Sequence, residues 1–432
     1  MAPLDPVGGA FHLSGRVSVP HFVEAVDLVC GGVDILRTRL RRTGDQYIAV
    51  PDTDPAGIPV TTTDLRDSAP ARLAHRLAET VQSTKDRLCD MQNGPPAALS
   101  LVHLDGGDLL SAAFDHGLLD QYGWVSLVRL LGEVYGHLER GDSKAAERAA
   151  TSSPSFLAHA YATQHDVAGR SAARDFWGPV VRGAEQRLPE TWGNRRPIHE
   201  MSATSRRRWT MPAGDIPLLL RACQVTGAPR SQVFIAGLTL AVSGATGVPF
   251  TPVTYHRHGR LPGVRPPLGP LWETLITFPP ADAPSRLSAW VREFINSNAE
   301  TPGMAGLALV DFAPLDTVMT LRYLTVNVMM PRRPAPFGPL RAMPIYPVDL
   351  PKAYTRGGLM LKHNIGIRLY STAADSFVAS IHHDPSDLPD PDRLFEAATH
   401  AIRLMADETV STGQALDEAG AVLRGGLPAK VA

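Results

Sequence analysis

The chain has 432 residues and a formal net charge of -1, so it offers no chain-wide attraction to nucleic acid or to an anionic membrane. Its 44% hydrophobic and 20% charged content is that of a globular protein, long enough for two or three domains or lobes. Cys30, Cys89 and Cys223 lie far apart and make neither a CxxC pair nor a disulfide framework, so packed thiols in a reducing compartment are expected. Met1 to Ala10 lacks a charged n-region and an apolar h-region, and no apolar run reaches the ~20 residues of a membrane span. The expectation is a cytoplasmic protein.

In chain order, Ala10 to Arg16 reads as a short strand and Pro20 to Cys30 as a helix ended by Gly31-Gly32. Ile35 to Leu40 reads as a strand with Arg37 and Arg39 on one face, paired with Tyr47 to Val50 through Gly44-Asp45. Pro70 to Leu88 has a helical apolar side. Ala97 to Leu104 and Leu109 to Phe114 read as a hairpin around Asp105-Gly106-Gly107-Asp108. A helix follows, with Trp124, Leu127, Val128, Leu131, Val134, Tyr135 and Leu138 at spacings of three and four.

Arg140 to Ser155 is polar and reads as a connector, and Phe156 to Arg182 as helical. Asp215 to Val225 and Ser231 to Ser243 are two helices divided by Thr226-Gly227-Ala228-Pro229. Strands are expected at Pro249 to His256, within Thr317 to Met330, and at His363 to Tyr370 and Phe377 to His383. Helices are expected at Ser285 to Asn298 and Asp392 to Met405, before a weakly structured tail. Strands and helices mixed in two halves predict an α/β (α+β, mixed-sheet) fold.

The stretch Phe114-Asp115-His116-Gly117-Leu118-Leu119-Asp120-Gln121-Tyr122-Gly123-Trp124 carries the chemistry. It sets a histidine and an aspartate four residues apart, between an apolar strand and an amphipathic helix. A histidine there can take a proton from an attacking amine or hydroxyl, a role that needs the unprotonated imidazole nitrogen a histidine can offer near neutral pH. His383 and Asp387 share the spacing, but Asp384 to Pro389 is turn-rich. His256 and His258 have no third ligand at metal spacing, and no Gly-x-Ser-x-Gly elbow is present.

With other segments, this stretch resembles the condensation domains of non-ribosomal peptide synthetases, within the chloramphenicol acetyltransferase-like acyltransferases. The family carries His-His-x-x-x-Asp-Gly after a strand. Here Asp115-His116-Gly117-Leu118-Leu119-Asp120-Gln121 keeps the second His and the Asp and departs at the first and last positions. Leu36 to Leu40 is similar to the family's Leu-Arg-Thr-Arg-Phe strand, and Asp175-Phe176-Trp177 with Leu188-Pro189 to its Tyr-Trp stretch. Gln224 to Ser231, His258-Gly259-Arg260 with Leu268 to Leu275, and Tyr323 to Asn327 match further segments in order. The resemblance spans about residues 10 to 406 and implies two acyltransferase-like lobes in a V around a tunnel, here 1–170 and 171–432.

The implied reaction is acyl transfer from a phosphopantetheine thioester, on a carrier protein or coenzyme A, to an amine or hydroxyl in natural-product biosynthesis. No metal or resident cofactor is implied. His116 would be the general base or would position the nucleophile. Asp120 would brace the loop through an ion pair with Arg260, with Arg37 as the rival partner. Asp115 beside His116 either raises the imidazole pKa or is a solvated strand-end residue. Gln121 would be strained if its turn needs a positive φ. Tyr122, Trp124 and Asn327 are neighbours of the site, by core packing or by lining the tunnel. Two altered readings remain. Asp115 and Asp120 fit the Asp-x-x-x-x-Asp of heterocyclisation domains, although His116 is retained and Gly123 stands for their serine. Alternatively, the chain is a silent domain that recruits a carrier protein or tailoring enzyme. An epimerisation role is opposed by His256, where that activity needs a glutamate.

Overall fold

The computed structural model describes residues 7–425 apart from 45, 53–56, 86–90, 93–94, 116, 186–204, 248–252, 259–264, 278–284, 301–302, 304–306, 308–310, 313–323, 330–332, 346–364, 372–376, 384 and 386–387. The chain runs β1 (Val7–Leu13), α1 (Val19–Gly32), a 3-10 turn (Asp34–Arg37), β2 (Thr38–Thr43), β3 (Gln46–Pro51), β4 (Val60–Asp64), α2 (Pro70–Lys85), β5 (Ala97–Leu104) and β6 (Gly107–Phe114). Then come α3 (Gln121–Glu139), α4 (Ser143–Ala150), α5 (Phe156–His165), α6 (Val167–Glu185), β7 (Ser205–Thr210), α7 (Ile216–Thr226) and α8 (Arg230–Thr246). The rest comprises β8 (Thr254–His258), β9 (Trp272–Ile276), α9 (Leu287–Glu300), β10 (Leu324–Met329), β11 (Ala335–Phe337), β12 (Leu340–Ile345), β13 (Ile365–Ser371), β14 (Phe377–His383) and two closing helices, Pro391–Met405 and Thr412–Arg424.

These elements form two compact units. The first is discontinuous: to Met1–His165 it adds His258–Trp272 and Arg332–Met360. Its sheet has the order β11-β12-β1-β6-β5-β4, antiparallel except for the β4–β5 pair. Alternation along β1 gives the sheet two buried faces. Phe11 meets Trp124 of α3, while Ala10 joins Leu65, Val102 and Leu109 under Leu73 and Leu77 of α2. All eight residues of β6 are buried, as expected for a central strand covered on both sides.

The second unit has a sheet of order β7-β14-β13-β10-β8-β9, in which β10 runs parallel to both β13 and β8 while β14 is antiparallel to its neighbours. Its core gathers α8, whose Phe234, Ile235, Leu238 and Val242 are fully buried, with Leu394, Phe395 and Ile402 of the first closing helix. The structure is thus mixed α/β with mixed sheets, the class expected from the sequence.

Several elements differ from expectation for local reasons. Residues 34–37 form a 3-10 turn rather than the start of a strand, because the Asp34 carboxylate accepts from Ile35 N at 2.8 Å and from Phe156 N at 3.1 Å and Leu157 N at 2.9 Å. The polar connector contains α4, capped by Asp142 on Ala145 N at 3.0 Å and packed through Ala145, Ala146, Ala149 and Ala150. The tail holds the helix Thr412–Arg424, capped by Ser411 on Gln414 N.

Cys30 on α1 is buried, and burial pushes its thiol from about 9.0 up to about 12. Between those values the unfolded chain ionises this thiol and the folded chain does not. Its contribution is therefore complete below the unfolded pKa and is lost as pH rises through the folded one. Urea unfolding at about pH 8 and about pH 10 should show a smaller alkaline loss of stability in Cys30→Ala than in the parent, by roughly 1.4 kcal/mol per pH unit above the thiol's unfolded pKa.

Candidate active site

Residues 115–120 join the most buried strand of the first sheet to α3. Asp115 N donates to Pro96 O at 2.9 Å, extending the β5–β6 ladder by one residue. The Asp115 carboxylate then accepts from Gly117 N at 2.8 Å and from Met91 N at 3.2 Å. Leu118 N donates to Asp115 O at 2.9 Å, tying the two described ends of the turn together. Leu118 and Leu119 are fully buried and fasten the far side of the turn. The Asp115 carboxylate is half-buried and takes backbone donors on both oxygens, so it is not a solvated strand end.

Asp120 caps α3. Its Oδ1 accepts from Gly123 N at 2.6 Å, and a carboxylate at a helix N-terminus also meets the positive end of the helix dipole. Its Oδ2 accepts from Leu271 N at 3.0 Å, across 151 residues of sequence. The side chain is buried at 6% exposure. His116 and Arg260, the expected catalytic residue and ion-pair partner, lie outside the described residues. Arg37 makes no ion pair among the described residues, so it does not act as the rival partner.

Gln121 opens α3 in helical backbone, and Asp67 is the one non-glycine residue with positive φ among the described residues. The strain expected from replacing a glycine is therefore absent at Gln121. Tyr122 is half-buried beside it. Trp124 is a packing residue, edge-on to Phe11 at 5.7 Å and tilted to Phe114 at 6.0 Å. Its indole lies over Gly9 of β1 so closely that an added Cβ would sit 2.3 Å from Nε1. Asn327 stands half-buried on β10 of the second unit, in register with Arg368. His383 is buried on β14, and its motif partner Asp387 is outside the described residues.

The segment that supplies Leu271 is held by shape. A Cβ on Gly269 would come within 2.1 Å of the Phe156 ring, and the start of α5 at Phe156 is in turn held by Asp34. Sequence reasoning did not find Met91, Leu271 or Gly9. The first two act through backbone amides, which leave no signature in residue type.

The condensation domain model matches residues 7–263, more than half of the chain. The chain belongs to the condensation domain family. No curated protein sequence matches it. Solved structures share its fold. The first condensation domain of the calcium-dependent antibiotic synthetase, in complex with a substrate analogue, is 19% identical, with 96% of this chain and 93% of that one covered at a TM-score of 0.68. The SgcC5 protein from Streptomyces globisporus is 16% identical, with 95% and 94% covered at 0.70. A starter condensation domain of rhizomide synthetase in complex with C8-CoA is 15% identical, with 95% and 91% covered at 0.69.

In this condensation domain, Asp120→Ala removes a helix cap and leaves the Leu271 N–H without its acceptor. We expect a loss of about 2–4 kcal/mol in urea unfolding. Gly9→Ala forces the Trp124 indole off its site and should cost about 1–3 kcal/mol by the same measurement, with weakened near-ultraviolet circular dichroism from the displaced ring.

Proposed function

We propose that the protein is an acyltransferase that moves an acyl or aminoacyl group from a phosphopantetheine thioester to an amine or hydroxyl, with His116 as the group that handles the proton. The observation that carries this reading is the state of the two flanking carboxylates. Asp115 and Asp120 both accept from backbone amides, which favours them as loop braces and leaves the acid–base work to the imidazole. His116 takes the proton from the attacking nitrogen or oxygen as it bonds to the thioester carbonyl carbon. The tetrahedral intermediate then collapses, the C–S bond breaks, and the proton leaves with the thiol. If instead the imidazole acts by holding the nucleophile through a hydrogen bond, the same residue remains essential.

Family membership supports acyl transfer, and the rhizomide relative's complex with C8-CoA supports a thioester of coenzyme A or of a carrier protein as donor. Arg260 is proposed to complete the brace at Asp120. Asn327 and Tyr122 are proposed to contact the acceptor or the donor chain. The retained histidine and the loop-bracing role of Asp115 favour simple condensation over cyclisation.

The test is intact-mass detection of acyl transfer from loaded carrier proteins and from acyl-coenzyme A to amine and hydroxyl acceptors. His116→Ala should fold normally and lose about 10²–10⁴-fold in turnover. A His116→Ala protein that transfers acyl groups at the parent rate sinks the reading.

A further inference from the structure

Several aspartates of the first unit accept from backbone N–H donors, yet two arginines of the same unit each keep one buried guanidinium nitrogen without an acceptor. Arg37 ends the 3-10 turn and Arg39 is the second residue of β2. Arg37 Nε and Arg39 Nη1 are both buried without a hydrogen-bond partner. Arg39 has a carboxylate at its Nε only, Asp52 at 3.3 Å, and its side chain is 15% exposed. Asp34, three residues before Arg37, is already engaged: its oxygens accept from Ile35 N, Phe156 N, Leu157 N and Ser155 Oγ. Arg41 follows on the same face of β2 as Arg39 and is exposed. A guanidinium stays charged at any accessible pH, so buried donors of this kind call for an oxyanion.

The row is joined to the reactive loop. Leu40 N donates to Met91 O at 2.8 Å, and Met91 N donates to the Asp115 carboxylate, so one residue links the β2–β3 ribbon to Asp115. We propose that Arg37 and Arg39 form an oxyanion site that holds the phosphate of the donor's phosphopantetheine arm, with Arg41 at its exposed end. The identity of the donor rests on the acyl-transfer reading; the oxyanion site rests on the arginines. The arm separates phosphate from thioester by the length of its diamide chain, so a phosphate site belongs on the surroundings of the loop rather than at the histidine. The planar guanidinium fork matches phosphate oxygens in pairs. Coenzyme A and a holo-carrier protein both present this phosphate.

The test is calorimetric titration of the whole protein and of Arg37→Met with 4′-phosphopantetheine and with pantetheine, which lacks the phosphate. Phosphopantetheine should bind the parent and lose about 10-fold or more in affinity in Arg37→Met, while pantetheine binds both alike. Met fills the arginine's stem volume without a charge, so the variant should melt at or above the parent's temperature in the absence of ligand. Equal phosphopantetheine affinity in the two proteins, or a marked fall in melting temperature, overturns the proposal. Titrations with coenzyme A and with holo- and apo-carrier protein show which source the site serves: an Arg37-dependent loss with coenzyme A or with the holo form supports it, and a loss with neither overturns it. A parent that binds phosphopantetheine through Arg37 but transfers no acyl group would refute the acyl-transfer reading and leave the phosphate site standing.

Discussion

The buried carboxylate of Asp120 is the constraint on which the candidate site depends. One oxygen fixes the first turn of α3 through Gly123, and the other holds a strand-to-strand segment that returns from residue 271. A charge at 6% exposure is costly unless donors surround it. Two backbone amides and the helix dipole provide that compensation, and charge-assisted bonds of this kind are about twice as strong as neutral ones. The helix start and the returning segment are thus both fixed to one side chain. A loop that positions a reacting group benefits from fixed ends of this kind.

The same device recurs through the first unit. Asp34 gathers the amides of Ile35, Phe156 and Leu157; Asp115 gathers those of Met91 and Gly117; Asp108, fully buried, takes Val17 N at 2.8 Å and faces His103 Nδ1 at 2.9 Å. Ionised carboxylates are acceptors only, so each can tie together chain segments whose amides have no ladder partner. The architecture around the loop is thereby a set of aspartate-to-amide braces, in which sequence separation ranges from one residue to more than a hundred.

Much of this was legible in residue order where periodicity is strong. The β5–β6 hairpin, α3 and the helix pair around Gly227 follow from apolar spacing and turn chemistry, and Gly227 adopts the left-handed φ of 69° that its cap requires. The 3-10 turn at Asp34 was not legible, since its cause is a contact with residues 155–157. Nor was the return of β11 and β12 to β1, because edge additions of three and six residues carry too little alternation to announce their partner. In the site, Asp115 and Asp120 stand out by type and place, but what they hold does not: Met91 and Leu271 contribute amides that any residue possesses. Gly9 is a glycine because an indole edge occupies the space of its side chain, a reason visible only once α3 is packed on β1.

Unmet donors in this unit fall into two kinds, and magnitudes separate them. Trp124 Nε1 is buried without a partner, but it is neutral. An unmet N–H of that sort costs about 1–3 kcal/mol, whereas burying an indole of roughly 200 Å² returns about 5 kcal/mol at 25 cal/mol per Å². Packing alone accounts for Trp124 between Phe11 and Phe114, and its idle N–H needs no ligand to explain it. Arg37 has no such compensation. Its aliphatic stem buries little beyond what a methionine would, and its charge cannot be removed by a shift in protonation. A buried indole N–H without an acceptor is therefore a packing outcome, while a buried N–H on a charged guanidinium without one is a cost that packing does not offset. That difference is why the arginines of the β2 ribbon, rather than the tryptophan nearer the loop, point beyond the fold to something the protein binds.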